Sequence, residues 1–117
     1  MKLHVLILED DFLLAAHLEE VVQDDLQGNP IGVSTVAEAL EIVPDEISLA
    51  LLDIEVRDGQ SYPVARKLIR NDIPCIIVSG NEQSTMPDDL KTIPFLSKPV
   101  ATGRLVRLAT ALCSDFS

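Results

Sequence analysis

Leu49-Ala50-Leu51-Leu52 is an unbroken apolar run that stops on an acid, Asp53. A strand with one face in water alternates apolar and polar side chains, so a strand without alternation must be covered on both faces. Runs rich in leucine and β-branched residues recur at Leu3–Leu8, Ile31–Val36, Ile47–Leu52, Ile73–Val78 and Ile93–Leu96. Between them the spacing turns helical: Leu14, Leu18, Val21 and Val22 form one stripe, and Leu105, Leu108, Ala109 and Leu112 form another after the last run. Strand alternating with helix predicts an α/β fold, doubly wound, with a five-stranded parallel sheet. Right-handed crossovers then place the residue after every strand along one edge of the sheet, where function is expected.

The 117 residues, 47% apolar and 24% charged, suit one domain spanning residues 1–117. The formal charge of −10 is uneven: residues 1–60 hold 14 acids and 2 bases, and residues 61–117 hold 5 acids and 7 bases. Such an acidic chain is expected to repel nucleic acid and anionic lipid, so neither is an expected partner. The longest uncharged stretch, Leu26 to Ala37, is too short to span a bilayer. The start of the chain runs from Met-Lys-Leu-His-Val-Leu-Ile-Leu straight into three acids and lacks the pattern of a secretory leader, so a cytoplasmic location is expected. Cys75 and Cys113 stand in no ligand spacing and are read as reduced packing residues. His4 and His17 are read as structural.

The expected edge of the sheet is rich in chemistry. After the first strand stand Glu9, Asp10 and Asp11; after the third, Asp53 and Glu55; after the fourth, Ser79-Gly80-Asn81; after the fifth, Ser97-Lys98-Pro99. Carboxylates brought together from two strand ends repel unless a cation offsets them, and Mg²⁺, a hard ion with oxygen ligands, is the natural choice. A lysine and a hydroxyl beside them suit phosphoryl oxygens. An aspartate beside Mg²⁺, with those groups opposite, is equipped to form an aspartyl phosphate. Each residue also has a plainer reading. The three acids fit the N-terminus of the first helix, Asp53 fits a turn, and Lys98-Pro99 fits the start of a helix. Only the whole set, in this order, favours the chemistry.

From Lys2 to about Leu112 the sequence resembles the receiver domains of bacterial two-component response regulators. The resemblance implies a flavodoxin-like fold with Asp10 as a direct Mg²⁺ ligand, Glu9 as a water-mediated one, Asp53 as ligand and phosphorylated nucleophile, and the Glu55 backbone carbonyl as a further ligand. It casts Ser79 and Lys98 as phosphoryl-binding residues, makes Ser79 and Phe95 the switch pair, and implies a cis Lys98-Pro99 bond. Two features depart from the pattern. The loop after Asp53 reaches Gly59 in six positions without the usual proline, and only 16 positions, interrupted by Met86-Pro87, separate Ser79 from Phe95. A shortened fourth helix of one or two turns is expected there, as in some stand-alone receivers.

The implied function is that of a single-domain response regulator that takes a phosphoryl group from a histidine kinase or histidine phosphotransfer protein and signals through protein contacts, possessing no catalysis beyond its own phosphorylation and dephosphorylation. A downstream effector protein is a further expected partner. Two rivals share part of the pattern. Haloacid-dehalogenase-type phosphatases also use an aspartyl phosphate, but favour an Asp where Glu55 stands and carry the nucleophile on their first strand. A pseudo-receiver that binds a partner without phosphorylation is the other.

Overall fold

The structure, a computed structural model, describes residues 2–113. Five strands, β1 (His4–Leu8), β2 (Asn29–Val33), β3 (Leu49–Leu52), β6 (Cys75–Ser79) and β7 (Phe95–Ser97), form one sheet in the order β2-β1-β3-β6-β7. Every pairing in it is parallel. A separate antiparallel hairpin, β4 (Glu55–Val56) and β5 (Gly59–Gln60), follows β3. Four helices, α1 (Phe12–Asp24), α2 (Val36–Glu41), α3 (Tyr62–Arg70) and α4 (Thr102–Leu112), complete the fold.

The lack of alternation in the central strands follows from two separate cores. Val5, Ile7, Leu49, Leu51, Ile76 and Val78 pack with Leu18, Val21 and Val22 of α1 and Leu105 and Ala109 of α4. Their neighbours Leu6, Leu8, Ala50, Leu52 and Ile77 point the other way, into a core closed by Ala39 of α2 and Val64, Ala65 and Leu68 of α3. Both faces are dry, as the apolar runs require. Each fully buried leucine or isoleucine here contributes about 1.5–3 kcal/mol of transfer free energy.

The strands differ from the expected runs by up to three residues at an end, β6 and β7 each beginning two residues later than expected, and the differences at β2 and β3 have a local cause. The sequence pattern predicts a second strand over Ile31–Val36, but it runs Asn29–Val33, because Thr35 caps α2 by accepting from the Glu38 amide at 3.1 Å. The Glu38 carboxylate reaches back to the Ser34 amide at 3.3 Å, so these residues belong to a helix start. Pro30 fits β2 because β2 is an edge strand. The third strand begins at Leu49, two residues after Ile47, because Pro44–Glu46 form a short 3-10 turn first.

Between β6 and β7 the expected shortening is pronounced. Two 3-10 turns, Gln83–Thr85 and Asp88–Leu90, stand where a helix is usual in the resemblance. Met86, Leu90 and Ile93 are buried and close the core in its place. Arg66 of α3 holds this segment from outside, with Nε and Nη2 donating to the two Asp89 oxygens at 2.8 and 3.1 Å. No helix among the described residues is long and apolar enough to cross a membrane.

Candidate phosphoryl and metal site

Strand register brings the acids together. Leu8 pairs with Leu52 across β1 and β3, and the Asp53 amide donates to the Leu8 carbonyl at 3.0 Å, so Glu9 and Asp53 leave the sheet side by side. Both are buried in spite of their charge. One carboxylate oxygen each from Glu9, Asp10 and Asp53 lies within 4.8 Å of the others. Asp11, next in sequence, does something else: its Oδ1 accepts from the Leu13 and Leu14 amides at 3.0 and 3.2 Å and caps α1. The helix-cap reading of the acidic run thus holds for Asp11, while Glu9 and Asp10 stand with Asp53 in a group that could hold a metal ion.

Lys98 reaches in from the end of β7. Its Nζ lies 2.9 Å from Asp53 Oδ2 and 3.0 Å from Glu9 Oε1, with only a quarter of the side chain exposed. Burial pulls the ammonium pKa down, but the hydrogen bonds and charges of Asp53 and Glu9 outweigh it and leave it above the ordinary lysine value. The Glu9 pKa is raised as well, because desolvation of its carboxylate outweighs the Asp11 amide at 3.0 Å and the Lys98 ammonium. Its Oε1 is buried and accepts no well-formed hydrogen bond despite the nearby ammonium. A buried carboxylate oxygen left in that state, within reach of two other carboxylates, fits a hard divalent cation.

Ser79 ends β6 opposite Ser97, and the Lys98 amide donates to the Ser79 carbonyl at 2.9 Å. The Ser79 side chain is buried, its Oγ accepting from the Asn81 amide at 3.1 Å. The Lys98-Pro99 bond is cis, as expected. Phe95 pairs with Ile77 and is half-buried against the core on the α3 side. Glu55 behaves differently from the other acids. Its side chain is exposed on the hairpin and outside the carboxylate cluster, so only its backbone is available for the expected role. His17 Nε2 lies 3.3 Å from Thr102 Oγ1 and His4 Nδ1 lies 3.4 Å from Asn29 Nδ2. Cys75 and Cys113 are free and buried.

Sequence reasoning missed the hairpin and with it Asp58, whose carboxylate binds the Val36 and Ala37 amides of α2 at 2.7 and 3.1 Å. The available signal was Asp58-Gly59, a dipeptide typical of tight hairpins. Gly59, at φ +137°, takes a conformation that other residues rarely adopt.

No family model and no curated relative matches the chain. Solved structures do. SdrG from Sphingomonas melonis Fr1 is 34% identical, with a TM-score of 0.80 over 95% of this chain and 96% of its own. The HemR receiver domain from Leptospira biflexa, 22% identical, superposes with a TM-score of 0.82 over 97% of this chain and 95% of that one. The PhyR response regulator receiver domain from Erythrobacter litoralis, also 22% identical, gives 0.81 over 95% and 89%. The two more distant likenesses establish the fold, and the first carries the likeness into sequence over almost the full length of both chains. With an acidic cluster at the ends of β1 and β3 and a lysine folded over it from β7, this chain belongs to the response regulator receiver domains.

Proposed function

We propose that the chain accepts a phosphoryl group on Asp53 from a phosphohistidine, carried by a histidine kinase or a histidine phosphotransfer protein. The observation that carries this reading is Lys98 Nζ at 2.9 Å from Asp53 Oδ2, beside the cluster of Glu9, Asp10 and Asp53. An Asp53 carboxylate oxygen forms the new O–P bond as the N–P bond of the donor breaks, and the departing imidazole takes up a proton. Transfer passes through a loose state with charge spread over the equatorial oxygens. Lys98 meets that charge with its ammonium, and Ser79 offers its hydroxyl. Glu9, Asp10, Asp53 and the Glu55 carbonyl are the residues that would hold Mg²⁺. When bound, Mg²⁺ supplies a Lewis acid that offsets negative charge on the phosphoryl oxygens.

Output runs through Ser79 and Phe95. Ser79 shifts toward the phosphoryl group, and the half-buried Phe95 ring repacks against the core on the α3 side. Phe95 has no hydroxyl, so this coupling acts through packing alone. The partner that reads it is a protein, either a downstream effector or a phosphotransfer protein that passes the group onward, and the setting is the cytoplasm.

The test is intact-mass spectrometry after incubation with a small acyl phosphate, with and without Mg²⁺. A single, slowly decaying, Mg²⁺-dependent adduct supports this reading. Rapid turnover of the donor without an adduct would favour a phosphatase, and absence of both would favour a receiver that binds its partner unphosphorylated.

A further inference from the structure

The loop that follows Asp53 is anchored both within itself and to a neighbouring helix. Ile54 and Val56 are buried, Glu55 pairs with Gln60 and Val56 with Gly59, and the Ser61 amide closes the loop on the Ile54 carbonyl at 2.8 Å. A hairpin of two residue pairs is too short to hold its own shape in water. At its tip Asp58 spans out to another element: Oδ1 accepts from the Val36 amide at 2.7 Å and Oδ2 from the Ala37 amide at 3.1 Å. The next amide of α2, that of Glu38, is taken by Thr35 Oγ1 at 3.1 Å. At the far end of α2, Lys67 Nζ donates to the Leu40 carbonyl at 2.6 Å. The segment after Asp53 thus grips α2 at both ends, with a carboxylate at its N-terminus and an ammonium near its C-terminus, the favourable sense for the helix dipole.

We infer that Asp58 is a positioning residue for the loop that presents the Glu55 carbonyl to the metal. It acts by tying the hairpin tip to α2, and the inference rests on the reading of Asp53 and its acidic neighbours as the Mg²⁺-assisted phosphoryl site. Without the tie, the tip is free to pivot on Val56, and the Glu55 carbonyl, one residue before it, loses its fixed direction. Outer groups that orient a metal ligand commonly change affinity by tenfold or more. The Val36 and Ala37 amides also hold the Asp58 carboxyl below the usual range, so the tie is charged and intact at neutral pH.

The experiment uses the full chain and MgCl₂, with affinity measured by titration calorimetry and amide exchange of residues 54–60 by mass spectrometry. Asp58→Ala is expected to weaken Mg²⁺ binding about tenfold and to speed exchange across the hairpin. Asp58→Asn, which keeps one oxygen acceptor, is expected to lie between it and wild type, and serves if the alanine variant does not fold. Thr35→Ala removes a cap from the same helix without touching the hairpin. It is expected to lower the melting temperature while leaving Mg²⁺ affinity at the wild-type value. Wild-type affinity in Asp58→Ala, or an equal loss in Thr35→Ala, overturns the inference and leaves the phosphoryl site standing. A wild-type protein that binds no Mg²⁺ overturns the metal site and this inference together.

Discussion

The backbone amide of Lys98 donates to the Ser79 carbonyl at 2.9 Å, so the ammonium and the hydroxyl proposed to meet the phosphoryl group stand on two strand ends locked to each other. Their spacing is therefore a property of the sheet. The proposed shift of Ser79 on phosphorylation would pass to β7, where Ser97 pairs with Ser79 and Phe95 with Ile77.

Replacing Lys98 with methionine leaves Glu9 and Asp53 buried side by side without their cation. Breaking a fully buried pair costs about 3–5 kcal/mol; with a quarter of Lys98 exposed, roughly 1–3 kcal/mol of destabilisation is expected at pH 7. Burial already raises the Glu9 pKa, and losing the ammonium raises it further, so protonation relieves the repulsion as pH falls. Urea unfolding at pH 7 and at pH 4.5 should show the deficit shrinking at the lower pH. A deficit that is the same at both would mean the lysine acts through packing of its stem.

Asp10 and Asp11 are adjacent in sequence and opposite in expected effect. Asp11→Ala removes the α1 cap and should cost about 1 kcal/mol of stability with little change in Mg²⁺ affinity. Asp10→Ala should leave the metal-free protein as stable or more so, because it removes one of three mutually repelling carboxylates, and should weaken Mg²⁺ binding. Thermal melts with and without MgCl₂ read both. A clearly destabilised metal-free Asp10→Ala protein would contradict the assignment.

Burial in the core pushes the Cys75 thiol up to about 12. In the unfolded chain it ionises near the ordinary value of about 8.5, so its contribution is full below that pH and is lost as pH rises towards the folded value. Stability should fall by up to about 1.4 kcal/mol per pH unit above about pH 9 through this one group. Cys75→Ala should have a shallower slope between pH 9 and 10.5 in chemical denaturation. An unchanged slope would place the alkaline loss elsewhere.

Much of this was legible before the structure. The non-alternating runs around Leu6, Leu51 and Ile76 require two covered faces, and with the helical stripes between the runs and right-handed crossovers they lead to a parallel sheet with its strand ends on one edge. Glu9, Asp10, Asp53 and Lys98 followed from that edge. What stayed hidden depends on contacts between elements distant in sequence. The carboxylates of Asp10 and Asp11 are chemically identical, and only the path of the chain into α1 decides which caps and which faces the cluster. Asp58 caps a helix that begins 22 residues earlier, a relationship no local pattern carries. The run Ile31–Val36 looks like one strand because Val36, apolar and β-branched, fits a strand as well as the first residue of α2.

The central claim is that Asp53 receives the phosphoryl group. Borohydride converts an aspartyl phosphate to homoserine, so the protein treated with a small acyl phosphate and Mg²⁺, then reduced, can be digested and sequenced by mass spectrometry. The account predicts homoserine at position 53, none there when Mg²⁺ is withheld, and none in Asp53→Asn. Reduction at Glu9, Asp10 or any other acid in place of Asp53, or no reduced residue in the wild-type protein, would contradict it.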